Sequence, residues 1–243
     1  MLVRGQESDR EMGGKEMKIV AEIGCNWNNR EQAFKMMGMA KALGINLVKY
    51  QLFQKEDVPE EIKSMAIDEE LAQSLVRVGR DHEQDVFFSC MYPEAVDICE
   101  RIGVKYYKVR YFDRNNLPLY RKLKKTKNKL IFVSCQSPHD TIFYNMAKYQ
   151  KRVRFLYCVP KYPAYMRDYE GFMIEYFRNN PELGLFPKRI HHGISDHIEH
   201  LGLFQAFKNE DVWFEMHMKV DDNCIESKWS KSFEELKTVL KNG

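Results

Sequence analysis

The sequence predicts an α/β protein of the (β/α)8 TIM-barrel class, and three observations carry that expectation. Short apolar runs alternate with amphipathic helical stretches eight times along the chain. The length of 243 residues suits a single eightfold barrel, which needs roughly 250. The G-x-G-x-x-G turn that opens many doubly wound sheets is missing, since only Gly24 follows the first run.

Residues 1–17 are polar and show neither strand nor helix period, so they read as a frayed leader ahead of one barrel domain over 18–243. The strand-like runs follow at 18–23, 47–51, 86–89, 106–109, 130–134, 153–157, 189–193 and 212–216. They are short and rich in β-branched and aromatic residues, as strands covered on both faces should be. The first helical stretch, 31–43, places Ala33, Met36, Met37, Ala40 and Leu43 on one stripe. Further helices are expected at 69–80, 93–102, 117–124, 140–149, 168–178, 198–207 and 233–240.

Composition excludes several classes. Hydrophobic residues make up 44% and charged residues 30%, and 15 Phe with 13 Tyr argue against disorder. The balance of 38 basic and 35 acidic residues gives a net charge of +3, too small to point to nucleic acid. No apolar run is long enough to span a membrane, and residues 1–17 lack a secretory signal. The six cysteines form no C-x-x-C pair and read as free thiols of a cytoplasmic protein. Cys25, Cys90, Cys135 and Cys158 all stand at strand ends.

In either kind of parallel sheet, ligands bind at the carboxyl ends of the strands. Those ends carry Glu22, then Lys49 and Gln51, then Lys108, Arg110 and Asp113. Ser134, Tyr162, Ser195, His197, Glu215 and His217 follow. Lys49 and Lys108 lie within apolar runs, and a buried lysine needs an anion beside it to stay charged. Glu22 and Glu215 can supply that anion, or a bound phosphate or carboxylate can. His197 and His217 are one βα unit apart, so two adjacent strand ends can share a divalent metal with open positions for water and substrate. His191 and His192 fall inside the seventh run and are weaker candidates.

The segments AEIGCNWNN (21–29) and VKYQLF (48–53) resemble the opening of the sialic acid synthases. FFSCMYPEAVD, YYKV, FVSCQS, LYCVPKYPA, GISDH and FEMH then resemble that family's later motifs in the same order. The resemblance implies a barrel that condenses phosphoenolpyruvate with an N-acetylated amino sugar, N-acetylmannosamine-like, giving a nonulosonic acid and phosphate. It implies His197 and His217 as ligands of manganese or magnesium. Lys49, Lys108, Ser134 and Ser195 would hold phosphoenolpyruvate, and Glu22, Gln51 and Tyr162 would face the sugar. Glu22, Glu215 and Asp113 are the expected catalytic carboxylates, with Glu22 handling protons, and Glu226 takes the place of a late aspartate. The family also suggests a homodimer, and its small C-terminal domain is not expected in this chain.

Departures accompany the match. Arg110-Tyr111-Phe112-Asp113 replaces a small serine loop ending in glutamate, Cys90 and Cys135 replace threonines, and Pro160 replaces an asparagine. Arg110 is expected to compensate by binding phosphate with its guanidinium fork. Two alternatives stay open: a sugar- or metal-binding barrel that has lost the reaction, and an aldolase in which Lys49 or Lys108 forms a Schiff base.

Overall fold

A computed structural model describes residues 17–178 and 191–240. Eight parallel strands follow one another around a closed barrel: β1 (Lys18–Glu22), β2 (Leu47–Leu52), β3 (Asp85–Cys90), β4 (Tyr106–Val109), β5 (Leu130–Cys135), β6 (Val153–Cys158), β7 (Gly193–Asp196) and β8 (Trp213–Lys219). Pairing of β1 with β8 closes the ring. The predicted fold class is therefore the observed one.

The helices form where local chemistry starts and stops them. Asn29 accepts a hydrogen bond from Gln32 N and caps α1 (Arg30–Ala42), whose buried stripe is Ala33, Met36, Met37 and Ala40. A short α2 (Glu60–Lys63) precedes α3 (Glu69–Asp81), which Asp68 caps through Leu71 N. Pro93 opens α4 (Pro93–Ile102), and Gly103 ends it in the left-handed conformation. Asn116 caps α5 (Leu117–Lys125). The rest are α6 (Tyr144–Gln150), α7 (Met166–Arg178), α8 (Gly202–Phe207) and α9 (Phe233–Leu240).

The interior is layered. Phe87, Tyr106, Phe132 and Trp213 pack together, with Phe132 and Trp213 ring centroids 4.8 Å apart and Tyr106 and Trp213 at 6.4 Å. Strands β4 and β8 stand on opposite walls, so a contact between Tyr106 and Trp213 crosses the barrel. These rings make a dry floor. Two residues further along the same strands come Ser89, Lys108, Ser134 and Glu215, all buried. The period-two alternation of strands thus places a polar tier directly above an aromatic one.

Three elements differ from the sequence-based expectation. Among the described residues the seventh strand is Gly193–Asp196, so only Gly193 of the expected 189–193 run falls in it. Residues 189 and 190 lie outside the described residues, and His191 and His192 precede the strand. Small Gly193 opens the strand because β8 comes so close. A Cβ on Gly193 would sit 2.0 Å from the Trp213 carbonyl oxygen. The helix expected at 140–149 begins only at Tyr144, because a 3-10 turn at Pro138–Asp140 and an extended Thr141 come first. The helix expected at 198–207 begins at Gly202, since Ile198 bridges to Ala164 and its N–H is taken by Asp196 Oδ1. One short strand, β9 (Lys231–Ser232), was not anticipated; it pairs with β8 at Met218 and Lys219.

Gly193→Ala should destabilise the barrel by roughly 1–3 kcal/mol or more, because the added methyl meets backbone rather than a movable side chain. Urea denaturation should show a lower midpoint at an unchanged m-value; an unchanged midpoint would contradict the close approach.

Candidate active site

The carboxyl ends of the strands open into a cleft of about 450 Å³. Its base is a group of buried ionised side chains. Lys49 Nζ is paired with Glu22, donates to Ser89 Oγ at 2.9 Å and lies 3.6 Å from Glu215 Oε2. Lys108 Nζ reaches across the barrel to Glu215 Oε1 at 2.5 Å, and Ser195 Oγ donates to the same oxygen at 2.8 Å. Gln51 Nε2 donates to Glu22 Oε1 at 3.2 Å. Of the two anion sources the sequence allowed for the lysines, Glu22 and Glu215 are in place.

The charges set one another. Burial pulls the Lys49 ammonium down, but the Glu215 and Glu22 carboxylates outweigh it, so its pKa lies above the ordinary lysine value. Burial dominates at Lys108, where Glu215 only partly compensates and Lys49 repels, so its pKa lies below the ordinary value. Burial alone would raise Glu215; Lys108 and Lys49 overcome it and hold the carboxyl well below the usual range. Ser134 is buried beside this group, and its Oγ makes no hydrogen bond to oxygen or nitrogen among the described residues.

Above the charges sit the two histidines, ring centroids 5.3 Å apart. His197 Nδ1 is 2.9 Å from the Val159 carbonyl, and His217 Nδ1 is 3.1 Å from Glu226 Oε2. Both partners are acceptors, so the proton belongs on each Nδ1, and each Nε2 keeps its lone pair for a ligand. Burial and the neighbouring His217 push the His197 pKa well below the ordinary value, which keeps that imidazole neutral. Held imidazoles of this kind suit a divalent metal. Among the described residues no group of three or more His, Cys, Asp or Glu side chains is arranged for one, so further ligands would have to be water or substrate. Tyr162 leans over the pair, its ring 4.4 Å from His197.

A family model described as the NeuB family matches residues 36–242. The chain belongs to the NeuB family. It is 25% identical over 207 residues to the spore coat polysaccharide biosynthesis protein SpsE of Bacillus subtilis (strain 168), covering 75% of this chain and 53% of the relative. It is 26% identical over 179 residues to the N,N'-diacetyllegionaminic acid synthase of Campylobacter jejuni subsp. jejuni, covering 62% and 53%. The chain thus spans about half the length of these curated relatives. The crystal structure of the N-acetylneuraminic acid synthetase of Leptospira borgpetersenii serovar Hardjo-bovis, in complex with citrate, shares the fold. Its TM-score is 0.77 at 19% identity, over 92% of this chain and 81% of that one.

In this NeuB-family barrel most of the residues singled out from sequence converge on the cleft, including Glu22, Lys49, Gln51, Lys108, Arg110 and Ser134 at one wall. Tyr162, Ser195, His197, Glu215, His217 and Glu226 line the other. Asp113 does not line it; its carboxylate accepts from Arg110 Nε at 2.6 Å and orients the guanidinium at the rim. The strand-end cysteines divide. Cys25 and Cys158 face the cleft, where burial raises both thiols, Cys158 to about 12. Cys90 turns away to Cys99, with sulfur atoms 3.8 Å apart, and Cys135 lies 4.0 Å from His191 Nε2. All six are free and buried. His191 stacks edge-on against Tyr157 and Phe172, and His192 Nδ1 accepts from Phe155 N, so both are wall residues. No helix of the described residues is long and apolar enough to cross a membrane.

Sequence reasoning missed two supports. Asn26 Nδ2 donates to Met218 O at 2.7 Å and to Ser230 Oγ at 2.8 Å, tying the first strand end to the loop after β8. Lys231, fully buried on β9, pairs with Asp196 at 2.7 Å and also donates to the Ile198 carbonyl, so it braces the residues on both sides of His197. Lys231→Met should cost about 3–5 kcal/mol, because it strands a buried carboxylate. Adding Asp196→Asn should restore part of the loss in chemical denaturation; a single variant as stable as wild type would contradict the ion pair's burial.

Proposed function

We propose that this chain is the barrel of a synthase that condenses phosphoenolpyruvate with an N-acetylated amino sugar, N-acetylmannosamine-like, to a nonulosonic acid and phosphate. One observation carries the reading: a buried Lys49–Glu22–Glu215–Lys108 group lies directly under two oriented imidazoles in one cleft. The names of the relatives, a legionaminic acid synthase and a sialic acid synthetase, support the product class.

His197 and His217 would hold manganese or magnesium, which supplies Lewis-acid polarisation of the sugar aldehyde. The remaining work falls to the chain. The enol carbon of phosphoenolpyruvate forms a bond to the aldehyde carbon while the aldehyde C=O π pair moves onto its oxygen, which takes up a proton to become a hydroxyl, and the adjacent carbon becomes electron-poor. Water adds there, and the bond to the phosphate oxygen then breaks to release phosphate. Lys108 and Lys49 sit where negative charge on phosphate is offset, with Ser134 and Ser195 as hydroxyl partners and Arg110 at the rim. Glu22, bonded to Gln51 and paired with Lys49, is placed to take the proton of the attacking water. Gln51 and Tyr162 line the cleft and would face the sugar.

A second reading has an observation of its own. Arg110, Tyr111 and Phe112 crowd one side of the cleft, and Phe112 is 63% exposed, an apolar rim suited to binding without turnover. A phosphate-release assay with phosphoenolpyruvate, N-acetylmannosamine and related N-acetyl sugars, and manganese separates the two. Turnover should appear, and Lys108→Met should lower kcat by at least about 100-fold, the scale for removing one preorganised charge-stabilising group. Sugar or metal binding without phosphate release from any of these sugars would favour the binding barrel instead.

A further inference from the structure

We propose that Glu226 is a positioning residue for His217, and that Gly24 lacks a side chain so that the Glu226 carboxylate can reach that histidine. The proposal rests on the reading of His217 as a metal ligand and adds the group that sets its ligating nitrogen. One carboxylate oxygen does the work. Glu226 Oε2 accepts from Cys25 N at 3.2 Å and lies 3.1 Å from His217 Nδ1. With the imidazole proton drawn to Nδ1, Nε2 is left unprotonated, the form a metal needs.

The segment Gly24-Cys25-Asn26 is built around that oxygen. Gly24 has φ +52°, a conformation that asparagine also adopts readily, so φ alone does not require glycine. Space does: a Cβ at position 24 would lie 2.2 Å from Glu226 Oε2. The obstructed atom is a carboxylate oxygen rather than backbone, and Glu22 Oε1 at 3.1 Å is the next nearest, so an added methyl would displace chiefly the Glu226 carboxylate from His217. Cys25 supplies its backbone N–H, and Asn26 Oδ1 accepts from Glu226 N at 3.2 Å, fixing the start of the glutamate itself. Ser230 Oγ donates to the Glu226 carbonyl at 2.7 Å and closes the loop behind it. A side chain held at both ends in this way is poorly free to follow a substrate. The first strand end therefore serves the second histidine across the β1–β8 seam, where Glu22 and His217 are register partners.

The test uses the whole chain, metal-free and labelled with 15N-histidine, at a pH where neutral imidazole prevails. The His217 signals are assigned by their loss in His217→Asn. In wild type, His217 should be a single Nδ1–H tautomer. Glu226→Ala and Gly24→Ala should both shift it toward Nε2–H, and manganese affinity, read by electron paramagnetic resonance titration, should fall about 10–100-fold. Glu226→Gln keeps one oxygen able to accept both bonds and should retain the tautomer. If Glu226→Ala leaves His217 as Nδ1–H, the positioning role is overturned whatever the affinity. If wild type binds no manganese, the metal reading under Proposed function fails, and the tautomer comparison still decides the role of Glu226.

Discussion

Four ionised side chains buried at the carboxyl end of the barrel are the constraint around which the rest is arranged. Taking a carboxylate or an ammonium out of water costs several kcal/mol per ion, and only close, hydrogen-bonded pairing repays it. Glu22, Lys49, Lys108 and Glu215 come from β1, β2, β4 and β8, so their pairing is possible only when the sheet has closed. Ser89, Ser195 and Gln51 then add hydrogen bonds to Lys49, Glu215 and Glu22. A hydrophobic plug of the same volume would be as stable or more so. Stability alone therefore gives no reason to keep these charges, which accords with the anionic donor proposed above.

The same logic grades the barrel along its axis. The aromatic floor of Phe87, Tyr106, Phe132 and Trp213 excludes water from below, which strengthens every interaction in the charged tier. Above it the histidines are oriented by acceptors at Nδ1, and burial keeps His197 neutral; above them Tyr162 and Trp229 pack edge-on at 5.4 Å. Going up the axis, the lining passes from apolar to ionic to imidazole to half-exposed aromatic. A donor carrying phosphate and an acceptor carrying an aldehyde would meet in that order.

Much of this was legible in the chain. Alternation in KIVAEI, LVKYQ and VWFEM puts Glu22, Lys49 and Glu215 on the inner face, and one βα unit between His197 and His217 puts them on neighbouring strands. What escaped has physical causes. Lys231 sits in KWSKSFEEL, which reads as a solvated lysine before a helix; nothing local reveals that β9 carries it into the barrel wall against Asp196. Cys90 stands at a strand end like Cys158, but strand parity turns it outward to Cys99. Asp113 looks catalytic by position, yet three residues of 3-10 turn bring it back onto Arg110. The seventh strand extends past the expected run to Asp196, because Gly193 packs against the Trp213 backbone and the pairing with β8 continues to Met216. Glu226 was expected among the substrate-binding residues and lines the cleft, but its contact with Gly24 spans 202 positions in sequence, which no local pattern encodes.

The most direct measurement is a crystal structure of the chain grown with phosphoenolpyruvate and manganese, with anomalous data collected for the metal. An anomalous peak bound by Nε2 of both His197 and His217, with the phosphate against Lys108 and Lys49, is the expected result. Metal bound elsewhere, or a cleft empty of phosphoenolpyruvate with the four buried charges still paired only to one another, would contradict the site as an anion-handling centre.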